Sequence, residues 1–129
     1  MSEGMKRDLE AQSASARPAA IEPARTAPDD CAVMDEVREE IDRLDRILVA
    51  LIAERTRYIE AAARIKPAES DVRVPWRIED VVAKVVAQGD VDGLPKRIAE
   101  PVWRELIERS IEHEGIVWRS IRSSQSTKN

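Results

Sequence analysis

The stretch MDEVREEIDRLDRILVALIAERTRYIEAAARIK, residues 34–66, contains neither glycine nor proline and predicts one long helix. Asp30 or Asp35 could cap its start, and Pro67 should end it, because the residue before a proline disfavours helical geometry. At 1.5 Å per residue this helix is roughly 48 Å long. A domain of this size has too little chain to cover such a helix, so we expect a partner along its length.

An apolar seam follows one face of this helix. Its members recur at alternating steps of four and three: Val37, Ile41, Leu44, Leu48 and Leu51. The same steps bring Arg55 into register with the seam. Because a buried charge is costly unless it is paired, Arg55 predicts a buried ion pair with Glu114, a rotation of the helices that exposes both, or a polar pocket inside a helical bundle.

The remainder of the chain predicts two further helices. The second begins near Trp76 and is broken by Gly89 and the stretch 90–95, and the third runs from Lys96 to Arg122. The third helix repeats the polar anomaly. Its apolar register runs through Trp103, Ile107, Ser110, Glu114 and Val117. We therefore interpret the fold class as all-α, with a three-helix protomer.

The two ends of the chain differ from this helical part. Residues 1–30 are rich in Ala, Pro, Ser and charge without apolar periodicity, which predicts a disordered N-terminal tail. Residues 123–129 predict a frayed C-terminus. The helical domain is thus expected over residues 31–122.

Three cations on the first helix differ in what they can reach. Lys66 follows Arg55 by eleven residues, about 16 Å along the axis and about 20° around it, so the two could hold a small dianion between them. Arg38 precedes Arg55 by seventeen residues, about 25 Å and 100° away. A solvated surface arginine is the default interpretation of Arg38, and the alternative is that it reaches a pocket in an antiparallel partner.

Composition argues against several other classes of protein. The net charge of −4 does not suit nucleic-acid binding, and no apolar run approaches membrane-spanning length. The N-terminus lacks an apolar signal core, so we expect a cytoplasmic protein. Cys31 is the single cysteine and His113 the single histidine, which predicts neither a disulfide nor a metal site.

Three segments carry a resemblance to a known family. DEVREEIDRLD at 35–45, LVALIAER at 48–55 and ARIK at 63–66 resemble the first helix of the all-helical chorismate mutases. The resemblance implies an entwined homodimer of three-helix protomers, with the long first helices packed together. It also implies pericyclic rearrangement of the dicarboxylate chorismate to prephenate, without a metal or cofactor.

The resemblance also implies roles for individual residues. Arg55 would clamp a substrate carboxylate, Arg38 would be lent to the site by the partner chain, and Lys66 would donate to the ether oxygen whose bond breaks. Ser110 would lie near a substrate carboxylate, and Arg77 matches a site arginine of the family. Glu114 falls where many members place a glutamine that donates to the ether oxygen, a role that Glu114 can take only when protonated.

Other residues point to a relative with a different reaction. Chorismate mutases often carry acidic residues near Arg77 that hold the ring hydroxyl, and the aligned positions here are Val74 and Ile78. The segments PDDC at 28–31 and KPAE at 66–69 are similar to isochorismate pyruvate-lyase, which releases salicylate and pyruvate. Ala53-Glu54-Arg55 and Ser110 favour the mutase, so the sequence predicts a mutase with the lyase as alternative. A non-catalytic helical dimer or regulatory partner protein is the second alternative.

Overall fold

The computed structural model describes residues 22–126. All regular structure in this range is helical: α1 (Met34–Ile65), α2 (Pro75–Asp92) and α3 (Lys96–Ser126), with 3-10 turns at Pro28–Asp30 and Glu69–Asp71. The prediction of three helices and no strands is confirmed for this range. The predicted tail at residues 1–21 and the predicted fraying at 127–129 lie outside the described residues.

The start of α1 is capped by a side chain from within the helix. Glu36 Oε1 accepts hydrogen bonds from the backbone N–H groups of Ala32 (3.0 Å) and Val33 (3.2 Å), so the capping side chain is Glu36, although the sequence pointed to Asp30 or Asp35. A carboxylate in the first turn also interacts favourably with the helix dipole. At the other end α1 stops at Ile65, one residue earlier than predicted.

The segment before α1 is hydrogen-bonded to the helix. The backbone N–H of Thr26 donates to Glu40 Oε2 at 2.9 Å, and Arg43 Nη1 donates to the carbonyl of Glu22, also at 2.9 Å. The hydrogen bond from Thr26 holds the pKa of Glu40 below its ordinary value. Residues 22–30 therefore contact α1, although the sequence interpretation placed them in the same tail as residues 1–21. The domain boundary at residue 30 stays a prediction.

The chain divides into two compact units, and the boundary falls within α1 between Arg57 and Tyr58. In the first unit, the seam is largely exposed among the residues that the structure describes. Four seam side chains there are 46–50% exposed: Ile41, Leu44, Leu48 and Leu51. Apolar residues at regular heptad positions are normally buried against a partner helix. The exposed seam is therefore consistent with the homodimer implied by the family resemblance, and that dimer stays a prediction.

The second unit contains the buried core. Its buried apolar residues come from the end of α1, the following loop, α2 and α3: Ala63, Val72, Val82, Ala99 and Ile107. Helices α2 and α3 pack against each other and are joined by a tight turn. This unit also contains Lys66 and Glu114, two of the candidate catalytic residues.

The predicted break of the second helix at Gly89 is wrong, because the turn between α2 and α3 lies further along the chain. Helix α2 continues to Asp92, and Gly93 ends it with a left-handed φ of 80°, a conformation that favours glycine. Gly89 has a different role, because its carbonyl accepts a 2.7 Å hydrogen bond from the N–H of Leu94, and a Cβ there would lie 2.9 Å from the Leu94 carbonyl oxygen. Helix α3 likewise extends past the predicted end at Arg122 to Ser126.

Two bidentate ion pairs of the second unit predict sensitivity to acid. Arg73 donates to both carboxylate oxygens of Glu108, and Arg104 does the same to Glu79. These hydrogen bonds lower the pKa of Glu108 and of Glu79. A lowered carboxylate pKa contributes stability that is present above the ordinary value of 4.5 and is lost as pH falls through the folded-state pKa.

We therefore expect the free energy of unfolding to fall as pH is lowered from about 5 to about 3. The double variant Glu79→Gln/Glu108→Gln should show a shallower fall, since its amides do not titrate. Urea denaturation at a series of pH values measures both slopes. Glu105→Gln, on an exposed carboxylate that pairs with Arg109 of the same helix, is the control. Equal slopes in the wild type and the double variant would contradict the prediction.

Candidate active site

The centre of the site is an ion pair between the end of α1 and the middle of α3. Lys66 Nζ lies 2.7 Å from Glu114 Oε2. The Glu114 side chain is only 4% exposed, and that of Lys66 is 26% exposed. A carboxylate buried to this extent requires a partner, and here the ammonium of Lys66 supplies it. Two residues that the sequence proposed for one site are therefore in direct contact.

The ammonium can serve a second acceptor while it stays paired. A lysine side chain carries three N–H donors, and Glu114 Oε2 takes one of them. The remaining donors can bind an oxygen of a small molecule next to the pair. A partly exposed ammonium held by a buried carboxylate is therefore suited to stabilise negative charge that develops on a ligand oxygen.

The backbone at Lys66 is held by side chains that the sequence interpretation missed. Arg122 donates from Nη1 to the carbonyl of Ala63 (2.7 Å) and from Nη2 to that of Lys66 (2.6 Å). Trp118 Nε1 donates to the same Lys66 carbonyl at 3.0 Å. A usable signal was that the last carbonyls of a helix lack partners in their own helix and need donors from elsewhere.

Ser110 lies one helical turn before Glu114 on α3 and is half-buried. Its hydroxyl donates to the carbonyl of Leu106 at 2.7 Å, which is a common arrangement for a serine inside a helix. Its predicted role near a substrate carboxylate requires that the hydroxyl turn away from the backbone. That role stays a prediction.

Arg77 lies in the first turn of α2, where it contacts an acidic residue. Its Nη1 is 2.7 Å from Asp80 Oδ2, and Lys84 Nζ is 3.0 Å from the same oxygen. Hydrogen bonds from Lys84 and from Arg77 lower the pKa of Asp80. The structure thus places a carboxylate beside Arg77 at a position other than Val74 and Ile78. The role of Arg77 in substrate binding stays a prediction.

The remaining two predicted arginines belong to the first unit. Arg38 is 67% exposed, and its Nη1 lies 3.6 Å from Asp35 Oδ1. Arg55 is half-buried on α1. The exposure of Arg38 suits both of its interpretations, the solvated arginine and the arginine lent to a second chain. The roles of both residues stay predictions.

Within residues 22–126, no group of three or more His, Cys, Asp or Glu side chains is placed to hold a metal ion. His113 pairs with a carboxylate of α1, its Nε2 lying 2.7 Å from Glu60 Oε2. No helix of the described range is both long enough and apolar enough to cross a membrane.

Two comparisons relate this chain to known proteins. A sequence profile of the family described as chorismate mutase type II matches residues 37–115, more than half of the chain and a range that includes Lys66 and Glu114. The isochorismate pyruvate lyase of Pseudomonas aeruginosa is 28% identical over 97 residues, covering 75% of this chain and 96% of the relative. These matches confirm the superfamily indicated by the first helix. The chain therefore belongs to the chorismate mutase type II family.

Proposed function

We propose that the protein catalyses a pericyclic reaction of a chorismate-type dicarboxylate, and that its substrate is isochorismate, which it converts to salicylate and pyruvate. The observation that carries the proposed reaction class is the pair of Lys66 with the buried Glu114. An ammonium fixed in this way can donate to the ether oxygen of the substrate. Negative charge develops on that oxygen as the carbon–oxygen bond breaks, so the interaction is stronger in the transition state than in the ground state.

The lyase reaction needs little from the protein beyond positioning and charge. The ring carbon–oxygen bond breaks while a ring hydrogen moves to the methylene carbon of the enolpyruvyl group, so the ring becomes aromatic and pyruvate leaves. The substrate must be held in the folded conformer that brings these atoms together. We assign that task to Arg55 and to Arg38 of a second chain, each binding a carboxylate, as the family resemblance implies.

Two observations favour the lyase over the mutase. The lyase of Pseudomonas aeruginosa is matched over 96% of its own length and 75% of this chain. In addition, the positions where mutases often carry acidic residues for the C4 hydroxyl of chorismate are occupied by Val74 and Ile78. Isochorismate carries its hydroxyl elsewhere on the ring and does not need those acids. The sequence alone slightly favoured the mutase, and the similarity to the lyase reverses that preference.

Chorismate mutase is the second candidate. It is favoured by the match to the mutase family profile and by the residues Ala53-Glu54-Arg55 and Ser110. The same pair of Lys66 and Glu114 would act on the ether oxygen in both reactions. The substrate therefore has to be identified by experiment.

The deciding experiment offers both substrates to the purified protein. We expect salicylate and pyruvate in equal amounts from isochorismate, with kcat/KM exceeding that for chorismate by about tenfold or more. Faster conversion of chorismate to prephenate would instead support the second candidate. If neither substrate is consumed, the protein is a non-catalytic helical dimer or regulatory partner of the kind considered from the sequence.

We propose that Glu114 is ionised and positions Lys66. The alternative is that Glu114 is protonated and itself donates a hydrogen bond to the ether oxygen of the substrate. The 2.7 Å contact with an ammonium favours the ionised form. Glu114→Gln should then lower kcat/KM by about tenfold at every pH from about 5 to 9, with an unchanged profile. Glu112→Gln, on an exposed residue of α3 that pairs with Arg109, is the control. If Glu114→Gln abolishes an alkaline fall that the wild type shows, Glu114 is the protonated donor.

A further inference from the structure

We propose that Trp118 and Arg122 are positioning residues for Lys66, and that they hold its backbone so that the ammonium stays at the reacting oxygen. The effect on catalysis rests on the proposed function. Neither residue touches the ammonium. They act on the carbonyl groups at the end of α1, to which the lysine side chain is attached.

Helix α3 binds Lys66 both at its backbone carbonyl and at its ammonium group. Glu114, Trp118 and Arg122 follow one another at steps of four residues, which places them on one face of the helix. Glu114 binds the ammonium, and the other two donate three hydrogen bonds to the carbonyls of Ala63 and Lys66. A single rigid helix thereby fixes both the origin of the lysine side chain and its tip.

The constraint at the backbone comes from the chain as well as from α3. Pro67 restricts the backbone conformation of Lys66, and the N–H of Lys66 donates to the carbonyl of Ala62 at 2.9 Å. The side chain between backbone and ammonium has four rotatable bonds, so it cannot by itself fix the position of Nζ. A displacement of about 1 Å at a reacting group is enough to reduce a rate substantially.

Arg122 and Trp118 also support each other. The guanidinium carbon lies 4.4 Å from the centre of the Trp118 ring, within the range of a cation–π interaction. A positive charge at the C-terminal end of α1 is favourable because the carbonyls there carry the negative end of the helix dipole. Arginine suits this position better than lysine, since its planar group reaches two carbonyls at once.

The test uses Trp118→Phe, which keeps a ring but removes the N–H donor, together with Arg122→Gln and the conservative Arg122→Lys. Arg109→Gln is the matched control, because Arg109 is an exposed arginine of α3 that pairs with Glu105 and Glu112. Circular dichroism and thermal unfolding establish that each variant is folded. If Arg122→Gln does not fold, Trp118→Phe decides the matter, since it deletes the hydrogen bond to the Lys66 carbonyl while keeping an aromatic ring next to Arg122.

The first readout does not depend on activity. Trace acetylation with acetic anhydride, followed by mass spectrometry, measures the reactivity of Lys66 relative to Lys84 and Lys96, whose side chains are each 68% exposed. Loosening of the backbone should weaken the pair with Glu114 and expose the amine. We expect about threefold or greater labelling of Lys66 in Trp118→Phe and Arg122→Gln, and a smaller increase in Arg122→Lys.

The second readout is catalytic. With the preferred substrate, kcat should fall about tenfold in Trp118→Phe and Arg122→Gln while KM changes less than about twofold, because the carboxylate contacts are not altered. The inference is overturned if the folded variants show unchanged Lys66 labelling and unchanged kcat. It is also overturned if the variants lose thermal stability while labelling and kcat stay unchanged. If the wild type converts neither substrate, the proposed function fails, and the labelling result still decides whether these residues position Lys66.

Discussion

Replacement of Lys66 by alanine is expected to lower kcat on the order of 100-fold or more, corresponding to about 3 kcal/mol in the barrier. KM should change less than about threefold, because the charge that Lys66 stabilises is absent from the bound substrate. The ammonium is the group that contacts Glu114 at 2.7 Å, and no other atom of the lysine side chain can donate a hydrogen bond in its place. Steady-state kinetics with both substrates measure the effect.

This variant needs a control for folding, since it leaves the buried Glu114 without its ammonium. The double variant Lys66→Ala/Glu114→Gln removes that uncompensated carboxylate and should recover stability without recovering kcat. Lys96→Ala, on an exposed lysine paired with Glu100, should keep normal turnover. Near-normal turnover in folded Lys66→Ala would falsify the proposed role of Lys66.

The second large effect is expected from two arginine variants used together. Arg38→Ala and Arg55→Ala should each be almost inactive, because each removes a proposed carboxylate contact. If Arg38 acts in the site of the partner chain, a mixed dimer has one site with both arginines and one with neither. Co-refolding equal amounts should restore about a quarter of wild-type activity, since half of the dimers are mixed and each has one complete site.

The mixing experiment contains its own controls. Each variant refolded alone should stay inactive, and size-exclusion chromatography with light scattering should show a dimer in every sample. A monomeric and fully active wild type would exclude the shared site. Mixed dimers that remain inactive would place Arg38 and Arg55 in the same protomer's site, whereas an active Arg38→Ala homodimer would place Arg38 outside any site.

The parts of the fold that depend on neighbouring residues could be predicted from the sequence. The bounds of α1 follow from the absence of glycine and proline over residues 34–66 and from Pro67, and they agree with the structure to one residue. The end of α2 was predicted at the wrong glycine, because glycine can either permit a close backbone approach or adopt a left-handed φ. Gly89 allows a close approach of Leu94, whereas Gly93 supplies the left-handed turn, and their spacing in sequence does not distinguish these roles.

The two residues of the ion pair could be singled out from the sequence, but their contact could not. Lys66 was singled out by its position on nearly the same helix face as Arg55, Glu114 by its polar position in an apolar register, and both by resemblance to the family. Their pairing depends on how α1 and α3 pack, and they are 48 residues apart. The same packing brings Trp118 and Arg122 to the Lys66 carbonyl. Sequence could show that this carbonyl needs a donor, but not which residue supplies it.

The half-exposed seam of α1 predicts that stability and activity depend on protein concentration. If a second copy covers it, folding is linked to assembly and both obey mass action. The melting temperature should then rise with protein concentration, and specific activity should decline on dilution below the dissociation constant. Assays at nanomolar enzyme concentration would therefore underestimate the specific activity of the dimer. A chain that is stable as a monomer would show neither trend.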